Sequence, residues 1–197
     1  MCAAAETDSF FLIVLNKMQK FHKINIAGRA EDLPIIKIAD SLAIAFFNLN
    51  GNQALTEHCA NALAELARGT DIVLTAESKG IALAHCVARK LGQDKYIVAR
   101  KSKKLYMTAT IEADVRSITT AGKQTLYLLA DDVALLKGKS ITIVDDVIST
   151  GESLRALEEL AFKAGATVVK KLAVLAEGDA SKRDDIHFLA AIPIFRL

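Results

Sequence analysis

From residue 51 onward, apolar positions switch repeatedly between two spacings. Residues 53–68 are rich in Ala and Leu at helical intervals, whereas "DIVLT" (71–75) is an unbroken apolar run of strand length. The same contrast predicts helices over 79–91 and 152–164 and strands over 96–100 ("YIVAR"), 125–129 ("TLYLL"), 140–144 ("SITIV") and 167–175 ("TVVKKLAVL"). Helix-like and strand-like segments in alternation, with short connections, predict an α/β fold with a mainly parallel central sheet and flanking helices. The pattern lapses over 101–123, which is polar and weakly periodic. A connection of that length inside a compact domain is usually functional or mobile.

Upstream, "LPIIKI" and "LAIAFFNL" read as two strands joined by a turn around Asp40, and the tail "HFLAAIPIF" is again strand-like. The expected organisation is one domain over 1–197, with a core at about 51–175 and a small cap, or hood, from about 1–50 and 176–197. No repeat, low-complexity tract or Pro/Gly-rich linker divides it.

Composition narrows the function. With 52% hydrophobic residues in 197, the chain can fill one core. Its 25 basic and 23 acidic residues leave a formal charge of +2, too little for a nucleic-acid or anionic-membrane footprint across the whole molecule. Cys2, Cys59 and Cys86 lack metal-ligand or CxxC spacing and suit reduced thiols in a cytoplasmic protein. The apolar run "FFLIVL" (10–15) is too short to cross a bilayer and has no basic residue before it, so neither an anchor nor a signal peptide is expected.

Candidate chemistry gathers at predicted strand ends. Asp145 and Asp146 follow the strand at 140–144, where parallel sheets bind ligands. The next residues, Ser149, Thr150, Gly151, Glu152 and Ser153, offer hydroxyls, backbone N–H groups and a helix N-terminus suited to a phosphate monoester. A sugar phosphate satisfies both halves, its hydroxyls donating to the acids and its phosphate resting in the loop. The competing reading makes Ser149 and Glu152 a capping box. Ala76, Glu77, Ser78, Lys79 and Gly80 form a second strand-to-helix turn, which is either an anion site or an ordinary connection. The basic run at 100–104, with Arg100, Lys101 and Lys104, is either a ligand clamp or a solvated patch. His22, His58, His85 and His187 match no triad and read as structural.

The run "ITIVDDVISTGES" (141–153) resembles the phosphoribosyl-pyrophosphate (PRPP) motif of the type I phosphoribosyltransferases, and the likeness covers about 71–177. The chain looks most like the adenine phosphoribosyltransferases, with some features of the xanthine enzymes. "AESKG" resembles the pyrophosphate loop and "RKSKKL" the entry to a mobile catalytic loop. The resemblance implies that Asp145 and Asp146 hold the ribose hydroxyls and that residues 149–153 hold the 5′-phosphate. By the same match Glu77, Ser78, Lys79, Gly80, Arg100, Lys101 and Lys104 serve the pyrophosphate, with Lys104 counted among the catalytic groups. Glu177 and Val147 would contact the base. Mg²⁺ would be held through PRPP and water, with Asp145 and Asp146 as its nearest protein groups, and the Glu77–Ser78 peptide would be cis. The implied protein is a cytoplasmic homodimer that binds PRPP and a purine, and neither nucleic acid nor membrane.

Two departures bear on activity. Thr120 and Ala121 stand before Gly122 where adenine enzymes carry a Glu-Tyr pair, and Glu152 replaces the second glycine of the phosphate loop, so its side chain must turn away. The base is read as adenine, because Glu177 can accept from an exocyclic amine and no Lys is aligned to donate to O6. Against it, "SITT" (117–120) resembles the xanthine enzymes. A 6-oxopurine enzyme (hypoxanthine, guanine or xanthine) and a non-catalytic PRPP-binding regulator therefore stay open as alternatives.

Overall fold

The unbroken apolar runs pair with one another. In a computed structural model describing residues 20–107, 109–115 and 124–197, β4 (Ile72–Ala76) and β8 (Ser140–Ile148) lie side by side in parallel, with Ile72 opposite Ile141 and Leu74 opposite Ile143. β5 (Ile97–Ala99) flanks β4, while β9 (Thr167–Glu177) and then β10 (His187–Ile192) extend the sheet beyond β8. All these pairings are parallel, in the order β10-β9-β8-β4-β5. The side chains of β4 are all buried and point alternately to two faces. Ile72 and Leu74 meet one hydrophobic cluster, which includes Leu154, Leu157 and Leu160 of α4 (Glu152–Lys163). Val73 meets the other, formed with α1 (Gln53–Ala67) and α2 (Gly80–Lys90).

The chain leaves β4 toward β5 on one side and leaves β8 toward β9 on the other. The strand order therefore reverses between β4 and β8, and the carboxyl ends of this pair open a crevice. That crevice contains the candidate residues.

A second, antiparallel sheet has the order β1-β2-β3-β11, made from β1 (Phe21–Ile26), β2 (Arg29–Ala39), β3 (Leu42–Ala45) and β11 (Ile194–Arg196). The C-terminal stretch expected wholly in the cap divides. β10 joins the core sheet, because its buried Ile192 packs under the parallel layer, and only β11 crosses to pair with β3. The polar stretch after β5 also holds a strand missing from the apolar pattern, β6 (Thr110–Val115). It pairs antiparallel with β7 (Gln124–Leu129), so the predicted strand at 125–129 lies outside the parallel sheet. A short helix, α3 (Ala130–Leu136), follows. Among the described residues, no helix is long and apolar enough to cross a membrane. The apolar run at 10–15, Cys2, Thr120, Ala121 and the "SITT" segment lie outside the described residues.

Candidate active site

β8 continues to Ile148, four residues beyond its predicted end, so Asp145 and Asp146 are strand residues and not loop residues. The two side chains consequently take different environments. Asp146 is buried at 6% exposure, while Asp145 is largely enclosed with one edge open to the crevice, and its Oδ1 accepts from the Asp146 N–H at 2.9 Å. Burial, then repulsion from Asp146, pushes the Asp145 carboxyl up to about 7, with the nearby Lys101 opposing.

Across the crevice, the Glu77–Ser78 peptide is cis, as the resemblance implies. Lys79 Nζ stands 3.2 Å from Asp146 Oδ2, joining the two strand ends by a charge contact, and lies 5.8 Å from the centroid of Phe46, contributed by the chain just beyond β3. Gly80 is required for this closeness. A Cβ there would collide with Thr75 Oγ1 and come within 3.2 Å of Asp145 Oδ1. Thr75 Oγ1 is buried without a hydrogen-bond partner among the described residues, and the buried Asp146 Oδ2 has only the Lys79 charge contact. Unpaired buried polar atoms are costly in a finished interior and ordinary where a ligand is to bind.

The helix ends agree. α1, away from the crevice, is capped by Asn52, whose Oδ1 accepts from Leu55 N at 3.1 Å. Lys79 and Gly151, at the starts of α2 and α4, make no side-chain cap hydrogen bond. The capping-box reading of Ser149 thus fails: the residue at the cap position is Gly151, at φ 79°, a left-handed conformation open to glycine. Glu152 turns away from the loop to Arg155, at 2.8 Å. Residues 149–153, with Asp145 and Val147, line a cavity of about 120 Å³ suited to a small anion and the sugar beside it.

Glu77 does not face outward as a free acid. Its carboxylate takes Arg100 Nε at 2.5 Å and the Lys101 N–H at 2.8 Å, fastening the end of β5 to that of β4. Arg100 is further fixed by two backbone bonds to Tyr127, both 2.9 Å. Lys101 and Lys104 are exposed. Glu177 ends β9 and lines a cavity of about 360 Å³ with Ser149, Thr150, Asp179, Arg183 and Ile194. The sequence reading missed Thr75, Phe46 and Arg183. Arg183 sits in "SKRDD", a run of charges with no local motif to single it out. A larger hollow of about 850 Å³ lies along α1 and α2 and includes Ser78 but neither acid.

Three of the histidines make packing or backbone contacts away from the acids. His58 Nε2 bonds Ile26 O at 2.9 Å, while His22 and His85 pack edge-on against Phe195 and Tyr96. Among the described residues, no cluster of three or more His, Cys, Asp or Glu could hold a metal by itself.

The phosphoribosyl transferase domain matches residues 48–192. The chain belongs to the phosphoribosyltransferase family. An adenine phosphoribosyltransferase of Mycobacterium marinum is 37% identical over 108 residues, 55% of this chain and 56% of that protein. The match thus spans little more than half of that relative's length. A xanthine phosphoribosyltransferase of Bifidobacterium adolescentis is 30% identical over 63% of this chain and 65% of its own length. Among solved structures, the adenine phosphoribosyltransferase of Saccharomyces cerevisiae, complexed with an imino-altritol bisphosphate and adenine, shares the fold. It has a TM-score of 0.57 and 22% identity, over 91% of this chain and 98% of that one. The type I phosphoribosyltransferase fold is thereby established for this chain.

Proposed function

We propose that the protein transfers the 5-phosphoribosyl group of PRPP to a purine base, adenine foremost, releasing pyrophosphate and a nucleoside 5′-monophosphate in purine salvage. The observation that carries this reading is the Lys79–Asp146 contact at 3.2 Å. It joins a pyrophosphate-type loop to a pair of ribose-type acids, beside an uncapped phosphate-sized cradle.

In the reaction, the bond from the anomeric carbon to pyrophosphate breaks and a purine nitrogen takes the carbon. Positive charge grows on the sugar and negative charge on the leaving group. Asp145 and Asp146 accept from the ribose hydroxyls, while residues 149–153 hold the 5′-phosphate by N–H and hydroxyl donors. Lys79, Arg100, Lys101 and the N–H groups at the start of α2 stabilise the departing pyrophosphate, and Lys104 joins them as the basic segment closes. Glu177 accepts from the amine of adenine, with Ser149 beside it and Val147 beneath the ring. The donor set fits Mg²⁺, a hard cation that takes one or two carboxylates with substrate phosphates, and the buried Asp146 Oδ2 has only the Lys79 ammonium, at 3.2 Å, beside it among the described residues. When bound, Mg²⁺ would neutralise the charge of the pyrophosphate. The family likeness also supports a cytoplasmic homodimer, which sedimentation and cell fractionation would check.

A panel of adenine, hypoxanthine, guanine and xanthine, assayed with PRPP and Mg²⁺ for pyrophosphate release, tests the reading. Adenine is expected to lead in kcat/KM. A tenfold preference for an oxopurine would change the base and keep the chemistry. PRPP binding with no turnover on any base would identify a regulator instead.

A further inference from the structure

The loop at 149–153 carries no cation of its own, and its one charged residue, Glu152, is negative and engaged with Arg155. A phosphate dianion resting there on dipoles and hydroxyls alone lacks a counter-charge. Arg183 stands at this point, from the segment that links β9 to β10. Asp185 holds its guanidinium in a two-pronged grip, Nε to Oδ1 at 2.8 Å and Nη2 to Oδ2 at 2.7 Å. Asp185 is itself anchored by Lys171 Nζ at 2.5 Å, and Lys171 also takes Glu158 at 2.8 Å. The fork is therefore fixed from β9 and α4 together. Its remaining nitrogen, Nη1, has no hydrogen-bond partner among the described residues and is pressed so closely on Gly151 that any Cβ there would collide with it. Arg183 also lines the cavity that includes Ser149 and Thr150.

We infer that Arg183 is the positioning cation of the 5′-phosphate loop, a binding residue supplied from outside the motif. The inference rests on the reading of 149–153 as a phosphate cradle. A guanidinium fixed at two nitrogens keeps its third donor aimed at the loop, so an arriving phosphate meets a charge already in place. The same packing ties phosphate occupancy to the segment leading into the cap.

The probe is ribose 5-phosphate, titrated calorimetrically into the wild type, Arg183→Gln and Arg183→Lys. Arg183→Gln is expected to weaken binding about tenfold or more, a loss typical of one charge-assisted hydrogen bond, and to raise KM for PRPP while leaving KM for the base unchanged. Arg183→Lys keeps the charge but cannot be gripped at two points by Asp185 while presenting a third donor, so its affinity should fall between those of wild type and Arg183→Gln. Equal binding by wild type and Arg183→Gln overturns the inference and leaves the transferase reading intact. A loss in Arg183→Lys larger than in the uncharged Arg183→Gln assigns the residue to packing and also overturns it. A wild type that binds ribose 5-phosphate more tightly than Arg183→Gln but turns over no base removes the transferase reading and keeps this one. Failure of the wild type to bind removes both. If Arg183→Gln does not fold, the Arg183 side-chain nitrogen resonances of the wild type decide. They should shift on adding ribose 5-phosphate and not ribose, and their indifference to the phosphate ends the proposal.

Discussion

The two ends of the β4–β8 pair use the same residue types to opposite effect. At the amino end, the Asp71 carboxylate accepts from Ser140 N and Ser140 Oγ, both at 2.8 Å, and Asp71 N donates to Ser140 O at 2.9 Å. These bonds, with the Lys139 charge at 4.0 Å, hold the Asp71 carboxyl below the usual carboxylate range. At the carboxyl end, Asp145 is held well above that range, Asp146 Oδ2 has only the Lys79 ammonium beside it, and Thr75 Oγ1 is buried without a hydrogen-bond partner among the described residues. One end is electrostatically complete and serves only to register two strands. The other leaves acids, a hydroxyl and two helix N-termini unsatisfied within a few residues, which a fold tolerates where substrate supplies the missing partners.

The sharpest way to break this contrast is to neutralise the incomplete end. Asp145→Asn with Asp146→Asn removes charge-assisted hydrogen bonds to the ribose hydroxyls, each worth about 1.5–3 kcal/mol. The expected fall in kcat/KM is about 10²-fold or more, with no loss of melting temperature. Pyrophosphate release and a thermal melt check both, and unchanged turnover would detach the acids from the chemistry.

Stability should move the other way at Asp145 alone. Its carboxyl binds a proton more tightly in the fold, at about 7, than in the unfolded chain, at 3.8. The wild type therefore loses stability as pH climbs from about 4 to 7, and the full penalty applies above that. Asp145→Asn has no such penalty. It should be more stable at pH 8, on the order of 2–4 kcal/mol, and should converge with wild type toward pH 4. Melts across that range measure it, and equal curves at pH 8 would mean that Asp145 is well solvated.

Gly80→Ala tests the closeness of the two strand ends. The added methyl meets Thr75 Oγ1, a short buried side chain with little room to yield. Overpacking of this kind costs about 1–3 kcal/mol. The displaced loop should also raise KM for PRPP, whereas Ala at an unhindered helix position would do neither. An unchanged melt and KM would show that the loop adjusts freely.

What was legible in the sequence follows the same division. β4, β8 and β9 stood out because burial on both faces demands unbroken apolar runs. β6 escaped because "TIEADV" alternates: Ala113 and Val115 are buried while Glu112 is exposed, as a half-covered ribbon requires. β10 was placed in the cap because a short apolar tail does not say which sheet it will join. The acids, the hydroxyl loop and the cis peptide were readable through a local motif. Arg183 reaches Gly151 from 32 residues away and Asp71 reaches Ser140 across 69, and no local pattern encodes such meetings.

The smallest expected effect is at the complete end, and its smallness is what it tests. Asp71 is exposed, so its bonds to Ser140 compete with water and its charge is screened. Because its pKa is lowered in the fold, the stability it contributes is present above its unfolded value near 4 and disappears as pH falls through the depressed folded value. Asp71→Asn should lower the melting temperature by only about 1–2 °C at pH 7, and the gap should close in strong acid, opposite in sense to Asp145→Asn. Substrate should not notice, because the amino ends of β4 and β8 lie a full strand length from the crevice. KM for PRPP within twofold of wild type would keep the two ends independent. A larger shift would mean that strand register set at Asp71 is felt at Asp145, and the division between a scaffold end and a reactive end would have to be redrawn.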